Sequence, residues 1–135
     1  MDFKVVGGLH GLPTVLATIA TATVIEAGDL VTLSSGLIIK AVAASTQIAY
    51  APYGSADGEV KIEISKGNDF MLEGTADANF AVTIKGTFVD LVGTTNLLID
   101  VGESTTDVFQ VDASENAGTA GSTAKVHVKI NKPLI

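Results

Sequence analysis

Two histidines are the side chains of this chain best suited to acid–base chemistry, since it contains no cysteine. His10 lies in the stretch GGLHG, and His127 alternates with Lys125 and Lys129 in the stretch AKVHVKI. A catalytic triad would need one of these histidines beside a serine on a sharp turn, but the G-x-S-x-G motif that builds such a turn does not occur in the sequence. We therefore predict two solvated surface histidines and no nucleophilic active site.

Pairs of carboxylates are a second source of chemistry, because the chain has 15 acidic residues. Glycoside hydrolysis uses two carboxylates in a cleft, usually with aromatic rings on which the sugar stacks. Tryptophan is absent, and the two tyrosines are Tyr50 and Tyr53. This composition favours solvated acidic residues on strand faces and in turns, and we predict that the chain is not an enzyme.

A third candidate is a calcium loop, because Asp112, Ser114, Asn116 and Gly118 alternate with other residues in the manner of oxygen ligands. The EF-hand loop places its glycine one position earlier and closes with a glutamate at its twelfth position. Thr123 stands at that position here. The pattern is therefore interpreted as a polar, turn-rich loop, and neither a metal nor a cofactor is predicted.

The charge balance bears on the partners of the chain. The formal net charge is −7, and all eight basic residues are lysines. Phosphate recognition favours a basic patch that includes arginine. The phosphate-binding motifs G-x-G-x-x-G and G-x-x-x-x-G-K-[ST] are both absent from the sequence. We predict no nucleic-acid partner.

An apolar stretch near the start, Leu12–Ile25, raises the question of a signal peptide. Asp2 precedes the single Lys4, Pro13 interrupts the stretch, and Gly7, Gly8 and Gly11 lie just before it, so we predict that it is not one. No run of the sequence reaches the roughly 18 apolar residues of a membrane helix, and we predict no membrane partner. The lack of cysteine fits a protein made in a reducing cytoplasm.

Any of these residues would have to be positioned by strands. Patterns of period two predict strands throughout the chain. Two hairpins are predicted: Glu59–Ser65 with Asp69–Gly74 around a Lys-Gly-Asn turn, and Leu30–Leu33 with Leu37–Ala43 around SSG. Further strands are predicted at Phe3–Val6, Thr14–Ile19, Thr21–Ile25, Ile48–Ala51, Phe80–Ile84, Phe88–Leu91, Leu97–Val101, Val108–Val111 and in AKVHVKI.

The predicted fold class is all-β, and 135 residues are enough for one domain with an aliphatic core. We expect a single-domain β-sandwich or β-barrel (β-tulip-like) with at most one short helix. The helix candidate Gly74–Ile84 ends in β-branched residues, so a single turn is expected there. Residues 1–13 are predicted to form a flexible N-terminal arm with few anchors, and residues 14–135 the β domain. An exposed loop is expected at Asp112–Thr123, between the last two strands.

The segment Glu26–Ser65 resembles the small head-decoration (capsid cement) proteins of tailed bacteriophages, including the lambda-type decoration proteins. The resemblance is carried by a turn into a strand at Ala27-Gly28-Asp29-Leu30-Val31, followed by Ser35-Gly36 and by Asp57-Gly58. The later segment Leu97–Ile130 also resembles the closing strands of phage virion proteins of this size.

The resemblance implies a structural role on the virion. Proteins of this family bind the outside of the expanded capsid, commonly as trimers at three-fold positions, and clamp adjacent major capsid subunits. Their N-terminal arm often pairs with a capsid strand, which would here involve Phe3, Val5, Val6, Leu9, His10, Leu12 and Pro13. A homotrimer interface would be aliphatic, and it could draw on Val82, Ile84, Phe88 and Leu91, although the sequence does not separate such an interface from the core.

Three other functions remain open at this point. A phage tail-tube subunit, or another structural subunit of the virion, would share the β domain and the lack of catalytic groups, but a tube subunit would polymerise into rings or tubes. A carbohydrate-binding or adhesin-like module would need aromatic rings, of which the chain has few. A small trimeric β hydrolase would need arginine, cysteine or a well-placed histidine.

Overall fold

Short strands make up most of the regular structure of this computed structural model, which describes residues 2–8, 12–55 and 60–135. The prediction of an all-β fold is confirmed, and in these ranges no helix is long and apolar enough to cross a membrane. The strands are β1 (Lys4–Gly8), β2 (Thr14–Thr18), β3 (Leu30–Ser34), β4 (Leu37–Lys40), β5 (Ala49–Tyr50), β6 (Lys61–Ser65), β7 (Phe70–Gly74), β8 (Phe88–Val92), β9 (Leu98–Asp100), β10 (Phe109–Val111) and β11 (Val126–Ile130).

The larger sheet has six strands in the order β1-β7-β11-β10-β8-β9, and neighbouring strands pair antiparallel. Its far strand β9 also meets the segment that follows β7, through a bridge between Ala76 and Ile99. The remaining strands form the ladders β2-β6 and β4-β3-β5, which a bridge between Ile19 and Ile38 connects. The described strands form no closed barrel, and the arrangement is consistent with a β-sandwich.

Strands β3 and β5 separate two hydrophobic cores. Leu30 and Tyr50 face each other across the two strands and belong to the larger core, under the six-stranded sheet. Their neighbours Val31 and Ala49 belong to the smaller core, which β2, β4 and β6 enclose with them. Because successive side chains of a strand point to opposite faces, this strand pair is buried on both sides. That burial explains why Leu30, Val31 and Ala49 are apolar, whereas β3 becomes more exposed and partly polar from Thr32 to Ser34.

The turn into β3 is the feature on which the family resemblance rests, and it has a structural explanation. Gly28 has a φ of 92°, which favours glycine, and its N–H donates to the carbonyl of Ala51 at 2.8 Å. The carboxylate of Asp29 is 2% exposed and accepts a hydrogen bond from the N–H of Glu26 at 2.9 Å. The Lys40 ammonium lies 3.7 Å from the same carboxylate. The motif therefore fixes the entry into the strand between the cores.

One predicted hairpin is confirmed and the other is wrong. β3 and β4 pair around Ser35 and Gly36, whose φ values of 51° and 80° are those of a tight hairpin turn. β6 and β7 do not pair with each other, because β6 pairs with β2, whereas β7 pairs with β1 and β11. The residues between them bond elsewhere: Lys66 N–H donates to Pro13 at 2.9 Å, and Gly67 N–H to Ile135 at 2.7 Å. The chain thus crosses from one layer to the other at this turn.

Two other predicted strands are wrong. In Thr21–Ile25 a turn replaces the strand, with Ala22 at a φ of 60°. In Phe80–Ile84, Phe80 is 2% exposed within the larger core, and a single 3-10 turn follows at Val82–Ile84. That turn confirms the expectation of no more than one turn in the helix candidate.

Candidate interaction surface

The N-terminal strand β1 is an outer strand of the larger sheet, paired with β7 on one side. Its register shifts between Val5 and Gly7, so a β-bulge interrupts the ladder at Val6. The expectation that residues 1–13 form a flexible arm with few anchors is therefore corrected for the described part of this segment. β1 belongs to the sheet because it pairs with β7. Phe3, the apolar residue directly before β1, is buried in the core.

Phe3 is the anchor of this strand. Its side chain is 4% exposed, and its ring lies 5.5 Å from that of Phe109, centroid to centroid. The Phe3 N–H donates to the carbonyl of Gly28 at 3.2 Å. The ring also fills the space above Gly74, where an added Cβ would lie 2.4 Å from a Phe3 ring atom. Phe3 is thus a core residue, and it is not available to a partner as the sequence had suggested.

The other predicted contact residues of the segment fall into separate environments. Val5 and Leu12 are partly buried and pack against the larger core. Val6 is 40% exposed, and Pro13 is also exposed. Of the predicted contact residues that the structure describes, Val6 and Pro13 are the ones a partner could touch most readily. Leu9 and His10 lie outside the described residues.

The four predicted trimer-interface residues also separate. Val82 is 59% exposed and Phe88 is 43% exposed, so both remain candidates for a contact between subunits. Ile84 is partly buried against the larger core. Leu91 is 3% exposed and is part of that core, so its place in an interface is corrected. Phe88 and Leu91 are three positions apart and therefore lie on opposite faces of β8, but the sequence did not show which of the two faces is the core.

A row of charged side chains crosses the outer face of the larger sheet at β1, β7 and β11. Lys4 lies opposite Glu73, and Glu73 lies opposite His127. The Glu73 carboxylate contacts the Lys4 ammonium at 3.2 Å through one oxygen and the His127 Nε2 at 3.0 Å through the other. His127 lies on the outer face, but its side chain is only 19% exposed, so it is less solvated than the sequence predicted. Sequence alternation placed His127 on the outer face, but it carried no information about which strand lies beside it.

The pKa of the Glu73 carboxyl reflects these partners. The hydrogen bond with His127 lowers the pKa, burial opposes the shift, and Lys4 lowers the pKa further through a hydrogen bond and its charge. The net effect places the pKa of Glu73 below its ordinary value. The carboxylate is therefore charged at neutral pH and holds contacts to two neighbouring strands.

Asp90 is a second carboxylate with a defined role, which the sequence analysis missed. It is 7% exposed and accepts hydrogen bonds from the backbone N–H groups of Thr105, Thr106 and Asp107 at 2.8–3.0 Å. Burial raises the pKa of Asp90, but the N–H donors outweigh burial, and the pKa lies below its ordinary value. The carboxylate fixes the loop between β9 and β10, a structural function rather than a catalytic one.

The calcium-loop candidate is a hydrogen-bonded turn. The Asp112 carboxylate accepts from the Ser114 N–H at 3.3 Å and from the Ser114 hydroxyl. Ser114 in turn accepts from the Asn116 N–H at 3.3 Å and caps a 3-10 turn at Glu115–Ala117. The turn-rich loop predicted here is confirmed. Across residues 2–8, 12–55 and 60–135, no cluster of three or more His, Cys, Asp or Glu side chains is arranged to hold a metal ion.

A cavity beside β1 has a volume of about 280 Å³ and a mixed-charge lining that includes Asp2, Lys4, Glu73, Thr75 and Lys125. Pockets for small ligands are mostly apolar and range from about 300 to 1,000 Å³. This face presents an edge strand with exposed side chains beside a shallow polar depression. These features suit contact with a macromolecule better than enclosure of a small molecule.

Comparison of the chain with known proteins gives no match to a protein-family model, to a curated protein or to a solved structure.

Proposed function

We propose that this chain is a structural protein of a tailed-bacteriophage virion. It binds the outside of the expanded capsid as a homotrimer at three-fold positions and stabilises the shell by clamping adjacent major capsid subunits. The proposal draws on the resemblance of Glu26–Ser65 to capsid cement proteins. The observation that carries it is the position of β1 at the outer edge of the six-stranded sheet.

An edge strand offers a row of backbone N–H and C=O groups to which a further strand can add. β1 is held in place by Phe3, so its edge is formed before a partner arrives. A preformed edge avoids part of the ordering cost that a disordered arm would carry on binding. The mode of attachment proposed from the structure is thus addition of a capsid strand to a fixed edge, with Val6 exposed beside it.

Trimerisation would multiply these contacts. Three linked edges raise the overall affinity for a symmetric lattice even where each single contact is weak. Phe88 and Val82 are exposed apolar side chains at and near the start of β8, and aromatic side chains are enriched at the centres of interfaces. They supply the contact between subunits in this proposal.

The test is co-sedimentation of the purified protein with expanded heads that lack it. We expect saturable binding near one copy per major capsid subunit. Val6→Asp places a charge beside the edge strand and should weaken binding at least tenfold, while Val24→Asp, on a residue that is 59% exposed and outside β1, should not. Equal binding of both variants would contradict the edge-strand mode.

Absence of head binding by the wild-type protein would contradict the cement function itself. Assembly of the protein into rings or tubes would then favour a tail-tube subunit. Binding to immobilised glycans instead would favour a carbohydrate-binding module.

A further inference from the structure

The outer face of the larger sheet carries a row in which basic and acidic side chains alternate across four neighbouring segments. Lys4 on β1 is followed by Glu73 on β7 and by His127 on β11. Asp112, directly after β10, continues the row, since its N–H donates to the His127 carbonyl at 3.0 Å and its carboxylate interacts electrostatically with the His127 side chain. Opposite charges on facing residues of adjacent strands stabilise the pairing.

We propose that this row is a pH-dependent fastening of the N-terminal edge strand, in which the Glu73 carboxylate ties β1 to the rest of the sheet at neutral pH and its protonation loosens β1 in acid. The proposal goes beyond the binding function and does not depend on it. It concerns local opening of residues Lys4–Gly8 and not unfolding of the whole sheet.

Glu73 is the central member because each of its oxygens serves a different strand. One oxygen contacts Lys4 at 3.2 Å and the other contacts His127 at 3.0 Å. The Glu73 side chain is 15% exposed, so water screens the two contacts less than it would at an open surface. Protonation of this carboxylate removes the charge from both contacts, whereas loss of Lys4 would remove the contact with β1 alone.

The other charged groups around Glu73 mostly favour its ionised form. Lys4 approaches from β1, and Lys125 from the segment before β11, while Asp2 lines the same cavity with the opposite sign. Lys129 is the next charged residue on the outer face of β11, and Asp112 lies on the far side of His127.

The direction of the pH effect follows from these partners. A carboxyl whose pKa is lowered by folding stabilises the folded form above its unfolded pKa, and this contribution is lost as the pH falls through the folded pKa. For Glu73 the loss occurs below its ordinary pKa, so the strand loosens in acid and is fastened at neutral pH.

Phe3 limits the size of the effect. Its buried ring and the hydrogen bond from its N–H to the Gly28 carbonyl hold the start of the strand independently of charge. Cross-strand pairs of this exposure change an opening equilibrium by roughly two- to fivefold each. We therefore expect β1 to open more often in acid, by about two- to tenfold, while Phe3 stays in place.

The experiment is amide hydrogen exchange followed by NMR, with protection factors corrected for the intrinsic exchange rate at each pH. In the wild-type protein, protection of Lys4–Gly8 relative to β10 and β11 should fall about two- to tenfold between pH 6.5 and pH 3. In Glu73→Gln, that relative protection should already be low at pH 6.5 and should change little in acid. Glu63→Gln, which makes the same change on β6 in the other layer, should behave as wild type.

Lys4→Met provides a second variant that removes only the contact with β1. It should lower the protection of β1 at pH 6.5 and leave that of β11 unchanged. Wild-type protection of β1 in both Glu73→Gln and Lys4→Met at pH 6.5 would overturn the proposal. An equal loss of protection in β1, β10 and β11 would also overturn it, because it would make the effect global.

Discussion

At the scale of single residues, the clearest chemistry in this molecule is structural. Asp90 and Asp29 are both nearly inaccessible carboxylates, and both accept hydrogen bonds from backbone N–H groups at tight turns. Bonds of this kind to a charged acceptor are stronger than neutral ones, and a buried carboxylate without them would be unfavourable. These two carboxylates therefore stabilise loops through hydrogen bonds to the backbone, although the composition alone suggested that most acidic residues are solvated.

We predict that Asp90→Asn lowers the free energy of unfolding at pH 7 by about 1–3 kcal/mol, because the amide accepts the N–H bonds of Thr105, Thr106 and Asp107 less strongly. The pKa of Asp90 is lowered in the folded protein, so its contribution is present above the unfolded pKa and is lost as the pH falls through the folded pKa. Urea unfolding at pH 7 and pH 3 measures both effects. The difference between wild type and variant should shrink in acid.

Glu115→Gln is the matched control, since this acid is exposed on the loop before β11 and should change stability little. A constant difference between Asp90→Asn and wild type across the pH range would show that the charge of Asp90 is not what braces the loop.

At the scale of elements, the sequence predicted what short-range chemistry decides. The hairpin of β3 and β4 was predictable because Ser35 and Gly36 alone determine the turn. The separation of β6 from β7 was not, because it depends on bonds from their connection to Pro13 and Ile135, far away in the chain. The charge row at Glu73 was missed for the same reason: its members are recognisable only after the register of three strands is known.

The N-terminal strand gives the sharpest test at this scale. A flexible arm with few anchors, as the sequence predicts for residues 1–13, would be removable with little loss of stability. From the structure, we expect Phe3→Ala to cost about 3–5 kcal/mol, the usual effect of removing a buried phenylalanine ring. Thermal and urea unfolding measure this cost. Val6→Ala, in the same strand but 40% exposed, should cost less than about 1 kcal/mol.

Equal stability of Phe3→Ala and wild type would support the sequence-based prediction of a flexible arm with few anchors. A comparable loss in Val6→Ala would indicate that Val6 at the bulge holds the strand as well as the ring of Phe3 does.

At the scale of the whole molecule, the two cores share the wall formed by β3 and β5. Leu30 and Val31 are each fully buried but belong to different cores. Displacement of this strand pair would therefore expose both cores to water. The two cores are thus held together by a strand pair that they share. Such an arrangement suits a protein that must bear load between partners, as the proposed function requires.

The last prediction concerns assembly. If Phe88 lies at the contact between subunits, Phe88→Asp should convert the proposed trimer to monomers, because a charge would be buried in an apolar interface without a partner. The fold should survive, since Phe88 is 43% exposed in the single chain, whereas the buried Leu91 could not be changed in this way without unfolding. Sedimentation velocity gives the oligomeric state, and circular dichroism gives the fold.

Val24→Asp, equally disruptive in charge but placed in the other layer, should remain trimeric. A wild-type protein that is monomeric at high concentration would place trimer formation on the capsid lattice or exclude it, and unchanged trimers in Phe88→Asp would move the interface away from β8.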